Sequence, residues 1–141
     1  MKPKTLTTLY WVFTLLFALL MLLSAVGGLQ PSAGSIKIMH DGMGYPVYFI
    51  RFISVAKLLG AIAICVPQFN RIKEWAYAGL FFDLAGALYS GIASAGKFDP
   101  LMLTMLIWIV PGILSYVYWQ RRVSAGVAFA TSGASGVFVK A

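Results

Sequence analysis

Cysteine and histidine each occur once in this 141-residue sequence, as Cys65 and His40, and only four residues are acidic. A single cysteine admits no intramolecular disulfide and no C-x-x-C exchange, and a lone thiol inside an apolar run reads as inert packing. A single histidine cannot supply both axial ligands of a bis-histidine haem. Methionine–histidine ligation stays formally open, but the six methionines read as packing residues. There is no zinc-ligand spacing, no Ser-His-Asp set and no glycine-rich nucleotide fingerprint behind a strand, so no metal site is expected. Charge is equally sparse: 11% of residues are charged and 60% are hydrophobic, which argues against a soluble domain. The polar segments lack aromatic–basic alternation, so no nucleic-acid partner is expected.

Four apolar stretches fill the chain instead, about Leu6–Leu29, Tyr45–Val66, Trp75–Ala95 and Leu101–Trp119. Each approaches or exceeds the roughly 20 residues of a spanning helix. All are too long and too weakly alternating for the roughly 10-residue strands of a membrane barrel. The expected fold is all-α, an integral membrane four-helix bundle over residues 1–122. Residues 123–141, rich in Ala, Gly, Ser and Val, read as a flexible or surface-lying tail. Lys2 and Lys4 resemble the start of a signal peptide, with Ala25, Gly27 and Gly28 as a processing site. The apolar run behind them exceeds the roughly 7–15 residues of a signal-peptide core, so an uncleaved first helix is expected.

Positive charge sets the expected orientation. Lys2, Lys4, Arg71, Lys73, Arg121, Arg122 and Lys140 fall on one side of a four-helix arrangement, and only Lys37 and Lys97 fall in loops on the other. Short basic loops stay cytoplasmic, so both termini are expected inside, with the bilayer as the first partner. Attraction to anionic lipid accounts for the net charge of +7.

Two charges lie inside the apolar runs. Lys57 is about twelve residues beyond Tyr45, roughly 18 Å deep, and Asp83 about eight beyond Trp75, roughly 12 Å deep. Entered from opposite faces, these depths sum to about 30 Å, the thickness of the hydrocarbon core. The two side chains are therefore expected at one level, as a direct or water-bridged pair; ionisable groups at membrane depth are read by default as functional, with a named partner. Arg51 lies only roughly 9 Å below the surface and is expected to snorkel outward, a structural role ahead of a ligand-binding one.

Small residues suggest how the helices meet. Ala76, Gly79, Asp83, Gly86 and Ser90 form one stripe, Ser54, Lys57, Gly60, Ala61 and Ile64 another, and Tyr10, Thr14, Phe17, Met21, Ser24 and Gly28 a third line. Such stripes are expected to pack helix on helix in lipid. Pro111–Gly112 is expected to kink the last helix. Tyr10, Trp11, Trp75, Tyr77, Tyr118 and Trp119 read as interfacial anchors near one membrane face, and Tyr45 and Tyr48 near the other. The connection Gln30–Gly44 is long enough to cover a site.

The segments GYPVYF (Gly44–Phe49), KLLGAIAI (Lys57–Ile64), KEWAYAG (Lys73–Gly79) and FDLAGALYSG (Phe82–Gly91) closely resemble the DoxX-like family of small bacterial membrane proteins. The resemblance covers roughly residues 2–119. It implies a four-helix fold, residence in the bacterial inner membrane, and association with respiratory or sulfur-redox complexes, including quinone-linked ones. More remote relatives look like membrane-protein assembly factors. The family often carries a histidine after the serine of its third-helix motif; here Ser90 is followed by Gly91, while the later acid is Asp99 and the loop histidine is His40, next to Asp41. A mechanism that needs two family histidines does not carry over.

Two function classes are open. In one, the chain is an accessory subunit of a membrane redox system that binds a quinone-like lipophilic ligand. The candidate ligand-binding residues are Lys57, Asp83, Tyr89, Tyr116, His40, Asp99 and Arg51. His40–Asp41 and Asp99 are candidates for a proton-handling or cation site at the external mouth, although a loop histidine reads first as solvated. The expected pocket is roofed by His40–Tyr45, floored by Lys57 and Asp83, walled by Tyr89 and widened by Gly91. Its partners would be membrane oxidoreductase subunits or a second copy of the chain. In the other class the protein is a non-catalytic assembly or scaffold factor whose Lys–Asp pair fixes helix register.

Overall fold

The computed structural model describes the backbone of residues 2–139 and the side-chain surroundings of residues 2–100 and 102–126. Four long helices dominate: α1 (Pro3–Leu29), α2 (Val47–Cys65), α3 (Asn70–Ala95) and α4 (Leu106–Val139). Candidate spans, judged by length and composition, are Pro3–Leu29, Val47–Cys65, Asn70–Ala95 and Met102–Gly126. Among the described residues there are no strands.

Local chemistry sets the ends. Pro3 opens α1, where its missing N–H is no loss. Pro46 caps α2 in an extended conformation, and Gly96, with φ +67°, closes α3 in the left-handed region that glycine enters without strain. A 3₁₀ segment, Pro100–Met105, leads into α4, which continues through the buried Pro111. Beyond residue 122 the same helix runs on to Val139. Alanines favour helix, and no proline interrupts this stretch. Lys140 and Ala141, the last two residues of the expected tail, lie outside the described residues. The long first connection is largely helical, one turn at Ala33–Ile36 and a wider π-helical turn at Lys37–Gly42.

α1 is the central element. It packs closely on α2 and on α4, α2 packs on α3, and of these four neighbouring pairs α3 and α4 approach each other least closely. Residue size accounts for the difference. At the α1–α2 contact, a Cβ on Gly28 would come within 1.9 Å of Ser54 Oγ, so only glycine allows that approach. Between α3 and α4 aromatic rings occupy the gap: Tyr77 stacks on Trp119 at 5.7 Å between centroids, and Phe81 meets Tyr116 edge-on at 6.5 Å. Each such pair contributes about 0.5–1.5 kcal/mol beyond area burial.

The first-helix line is buried as expected at Tyr10, Thr14, Phe17, Met21 and Gly28. The third-helix stripe is not. The buried residues of α3 are Lys73, Tyr77, Leu80 and Leu84, while Gly79 and Gly86 would meet nothing within 4 Å if given a Cβ. Large side chains are needed to reach across the wide α3–α4 gap, so the small residues face a groove instead. The aromatic belt also needs correction. Tyr10, Tyr77 and Trp119 belong to the core, whereas Trp75 faces outward.

Candidate functional site

Lys57 follows Ser54 by one turn of α2, and Ser54 is buried against α1, its hydroxyl donating to the Ile50 carbonyl at 2.7 Å. That register turns Lys57 inward. Its Nζ lies 3.2 Å from Asp83 Oδ2 and donates to Ser24 Oγ on α1, also at 3.2 Å. One ammonium thus joins three helices. The Lys57–Asp83 contact is close enough for an ion pair. Among the described residues, the buried Asp83 Oδ2 has no hydrogen-bond partner. Both side chains keep some accessible surface, 14% for Lys57 and 12% for Asp83.

Two cavities flank the pair, and each is lined by both charges together with Ile53 and Gly79. The first, about 470 Å³, runs between α2 and α3 past Gly60, Ala63, Trp75 and Ala76, where small residues leave the helices apart. The second, about 340 Å³, lies under the first connection, with Met39, Met43 and Tyr45 above and Phe49 and Phe82 on its walls. Predominantly apolar walls surround a few polar groups, a composition that small-molecule sites share. Gly86 and Ala87 complete the α3 side. The unsatisfied carboxylate oxygen and the ammonium together offer one acceptor and one donor at the floor.

The roof is anchored by polar contacts. His40 Nδ1 lies 2.8 Å from the Tyr45 carbonyl, which accepts from it, and Gly44 turns with φ +75°. The Tyr45 hydroxyl bonds Ser90 Oγ, tying the start of α2 to the end of α3. Ser32 Oγ accepts from Ser35 N–H at 3.2 Å and caps the helical turn of the connection.

The remaining sequence candidates are dispersed. Tyr89 is 74% exposed and absent from the lining, so it is no wall of the cavity. It follows Asp83 by six residues, about 120° around the helix from it, and so turns away from the pair. Tyr116 lies in the aromatic cluster on α4 and accepts from Gln120 Nε2 at 3.0 Å. His40 and Arg51 are exposed, and half-buried Asp99 sits before the 3₁₀ segment, its carbonyl accepting from Met102 N–H at 2.8 Å. Gly91 opens no space in the cavity: a Cβ there would meet Met102 Cε at 3.4 Å.

A second polar cluster escaped the sequence reading. Lys73, taken there as a loop charge, is 1% exposed and donates to the Tyr10 hydroxyl. Thr14 and Ser115 are hydrogen-bonded at 2.7 Å, and Ser115 and Tyr77 at 2.6 Å, all buried. Arg122 stands over the Tyr10 ring at 4.6 Å, with Lys73 Nζ 5.0 Å from the same ring. The spacing Tyr10–Thr14 on one line of α1 was the available signal; the partners on α3 and α4 have no sequence signature. Among the described residues no group of three or more His, Cys, Asp or Glu is placed to hold a metal.

No curated protein and no solved structure matches this chain. Residues 12–114, a span that takes in the paired charges, both cavities and Thr14, Lys73 and Tyr77 of the second cluster, match the DoxX-like family, and the chain belongs to that family.

Proposed function

We propose that this DoxX-like membrane protein is an accessory subunit that holds a quinone-like lipophilic ligand between α2 and α3, within a membrane redox system. The observation that carries this reading is the Lys57–Asp83 pair at 3.2 Å, partly accessible and lining two apolar cavities at once. A quinone carbonyl would accept from Lys57 Nζ. The ring would lie among Met39, Met43, Phe49 and Phe82, and an isoprenoid tail would leave through the lipid-facing side. Asp83 orients Lys57. In this reading the chain sits in the bacterial inner membrane with both termini inside, and Ser35→Cys or Lys97→Cys in a Cys65→Ser background is labelled from outside only. Labelling from the cytoplasm alone rejects that topology.

Native mass spectrometry of the protein released from its own membranes tests the ligand. The expected result is an adduct of quinone mass that organic extraction removes and that Lys57→Met fails to retain. An adduct-free protein that co-purifies with a larger membrane complex overturns the proposal. One observation supports a second reading, the assembly or scaffold factor: Lys57 joins α1, α2 and α3 through Ser24 and Asp83, as a register-fixing contact would.

A further inference from the structure

Among the described acidic side chains, the ion pair formed is Asp83 with Lys57, and none is formed with Lys73 or Arg122. The four acids are Asp41, Glu74, Asp83 and Asp99. Asp83 is paired with Lys57, Asp41 and Asp99 lie in the connections at the opposite end of the bundle, and Glu74 is exposed on α3. Among the described residues no carboxylate pairs with Lys73 or Arg122. Two cations nonetheless converge on one ring, with Lys73 Nζ 5.0 Å and the Arg122 guanidinium carbon 4.6 Å from the Tyr10 centroid. Lys73 spends one donor on the Tyr10 hydroxyl and is closed off beneath it, while Arg122 is half-buried and reaches the surface. Like charges against one ring, one of them buried, call for a negative charge that no described residue supplies.

We infer that the α1–α3–α4 end of the bundle holds a phosphate-oxygen anion on Arg122, with buried Lys73 as the positioning charge behind it. Arg122 presents a planar fork of donors suited to two oxygens of one phosphate. Lys73 does not touch the anion; it raises the local positive potential and, through Tyr10, keeps the ring under the guanidinium. Basic pockets between spanning helices take lipid headgroups in this manner. A lipid phosphodiester and a free phosphate share the chemistry, and the experiment separates them. The site is distinct from the α2–α3 groove and does not depend on what that groove binds.

The test adds dioleoyl-phosphatidylglycerol to the detergent-purified full-length protein and reads retained lipid by native mass spectrometry, with dioleoyl-phosphatidylcholine as reference. Arg122→Gln is expected to lower retention of phosphatidylglycerol by about fivefold, the worth of one interfacial cation, and Arg121→Gln, at the exposed neighbouring position, to leave it unchanged. Arg122→Lys keeps charge and recovers part of the binding. Lys73→Met lowers retention while helix content and monodispersity stay at wild type. If the protein retains inorganic phosphate through Arg122 and shows no preference for phosphatidylglycerol, the anion is soluble; if it retains phosphatidylglycerol and phosphate does not compete, the anion is a lipid. Equal retention of both probes in wild type and Arg122→Gln, or equal loss in Arg121→Gln and Arg122→Gln, overturns the proposal.

Discussion

The bundle has two polar clusters, and they differ in what surrounds them. The Lys57–Asp83 pair has opposite charges, an unsatisfied carboxylate oxygen, residual accessibility and a cavity on either side. The Lys73–Tyr10 cluster, with Thr14, Ser115 and Tyr77 stacked next to it, has one sign of charge, short hydrogen bonds and no accessible surface at its centre. The first is an arrangement with room left in it. The second is packed shut except at Arg122. A polar group inside an apolar bundle can thus be retained for opposite reasons, to meet something or to lock helices together, and the space beside it distinguishes the two.

Breaking the first cluster should have the largest effect on stability. Asp83→Asn strands the Lys57 ammonium and should destabilise the protein by about 3–5 kcal/mol, the cost of one orphaned buried charge in soluble proteins. Adding Lys57→Met should recover much of that loss, as read by thermal unfolding in detergent. If the double variant is no more stable than the single one, the two residues do not act as a pair.

The second cluster should respond in proportion to its hydrogen bonds. Ser115→Ala leaves the Thr14 and Tyr77 hydroxyls without their shared partner, a loss of about 1–3 kcal/mol for each buried group left unsatisfied. Guanidinium-free thermal melts should show the deficit, and Tyr77→Phe added to Ser115→Ala should reduce it.

Glycines report the difference in space directly. A Cβ on Gly112 would come within 2.9 Å of the Phe17 ring and 3.2 Å of Phe81, so Gly112→Ala should cost about 1–3 kcal/mol by overpacking. Gly79→Ala, in the groove beside Asp83, meets nothing within 4 Å and should be neutral or slightly stabilising. Equal melting temperatures for the two variants would remove the contrast between a packed side and an open one. The smallest effect is expected for Tyr45→Phe, which deletes the hydroxyl contact to Ser90 at the roof, worth about 1 kcal/mol. Faster hydrogen exchange over residues 39–49 is the readout.

Much of the fold was legible in the sequence because bilayer thickness fixes helix length, and the matched depths of Lys57 and Asp83 follow from rise per residue alone. Boundaries moved where the rule does not act. α3 begins at Asn70 rather than Trp75 and so draws Lys73 into the bundle, and α4 passes residue 122 because no residue there stops a helix. Formal charges inside apolar runs stand out; hydroxyls do not, since Thr14, Ser115 and Tyr77 are unremarkable until three helices bring them together. Tyr89 and Gly91 failed as cavity residues for a simpler reason. Sequence spacing gives the face of a helix but not which face the neighbouring helix takes, and on α3 the large side chains took the interior.

The comparison is settled most directly by equilibrium titration of detergent-purified protein with a short-tailed ubiquinone analogue, followed by tryptophan fluorescence, in wild type, Lys57→Met and Lys73→Met. The account predicts saturable binding, weakened by about tenfold or more in Lys57→Met, the scale of one hydrogen bond to a charged group, and unchanged in Lys73→Met. Binding that is absent in wild type, or lost equally in both variants, would contradict it.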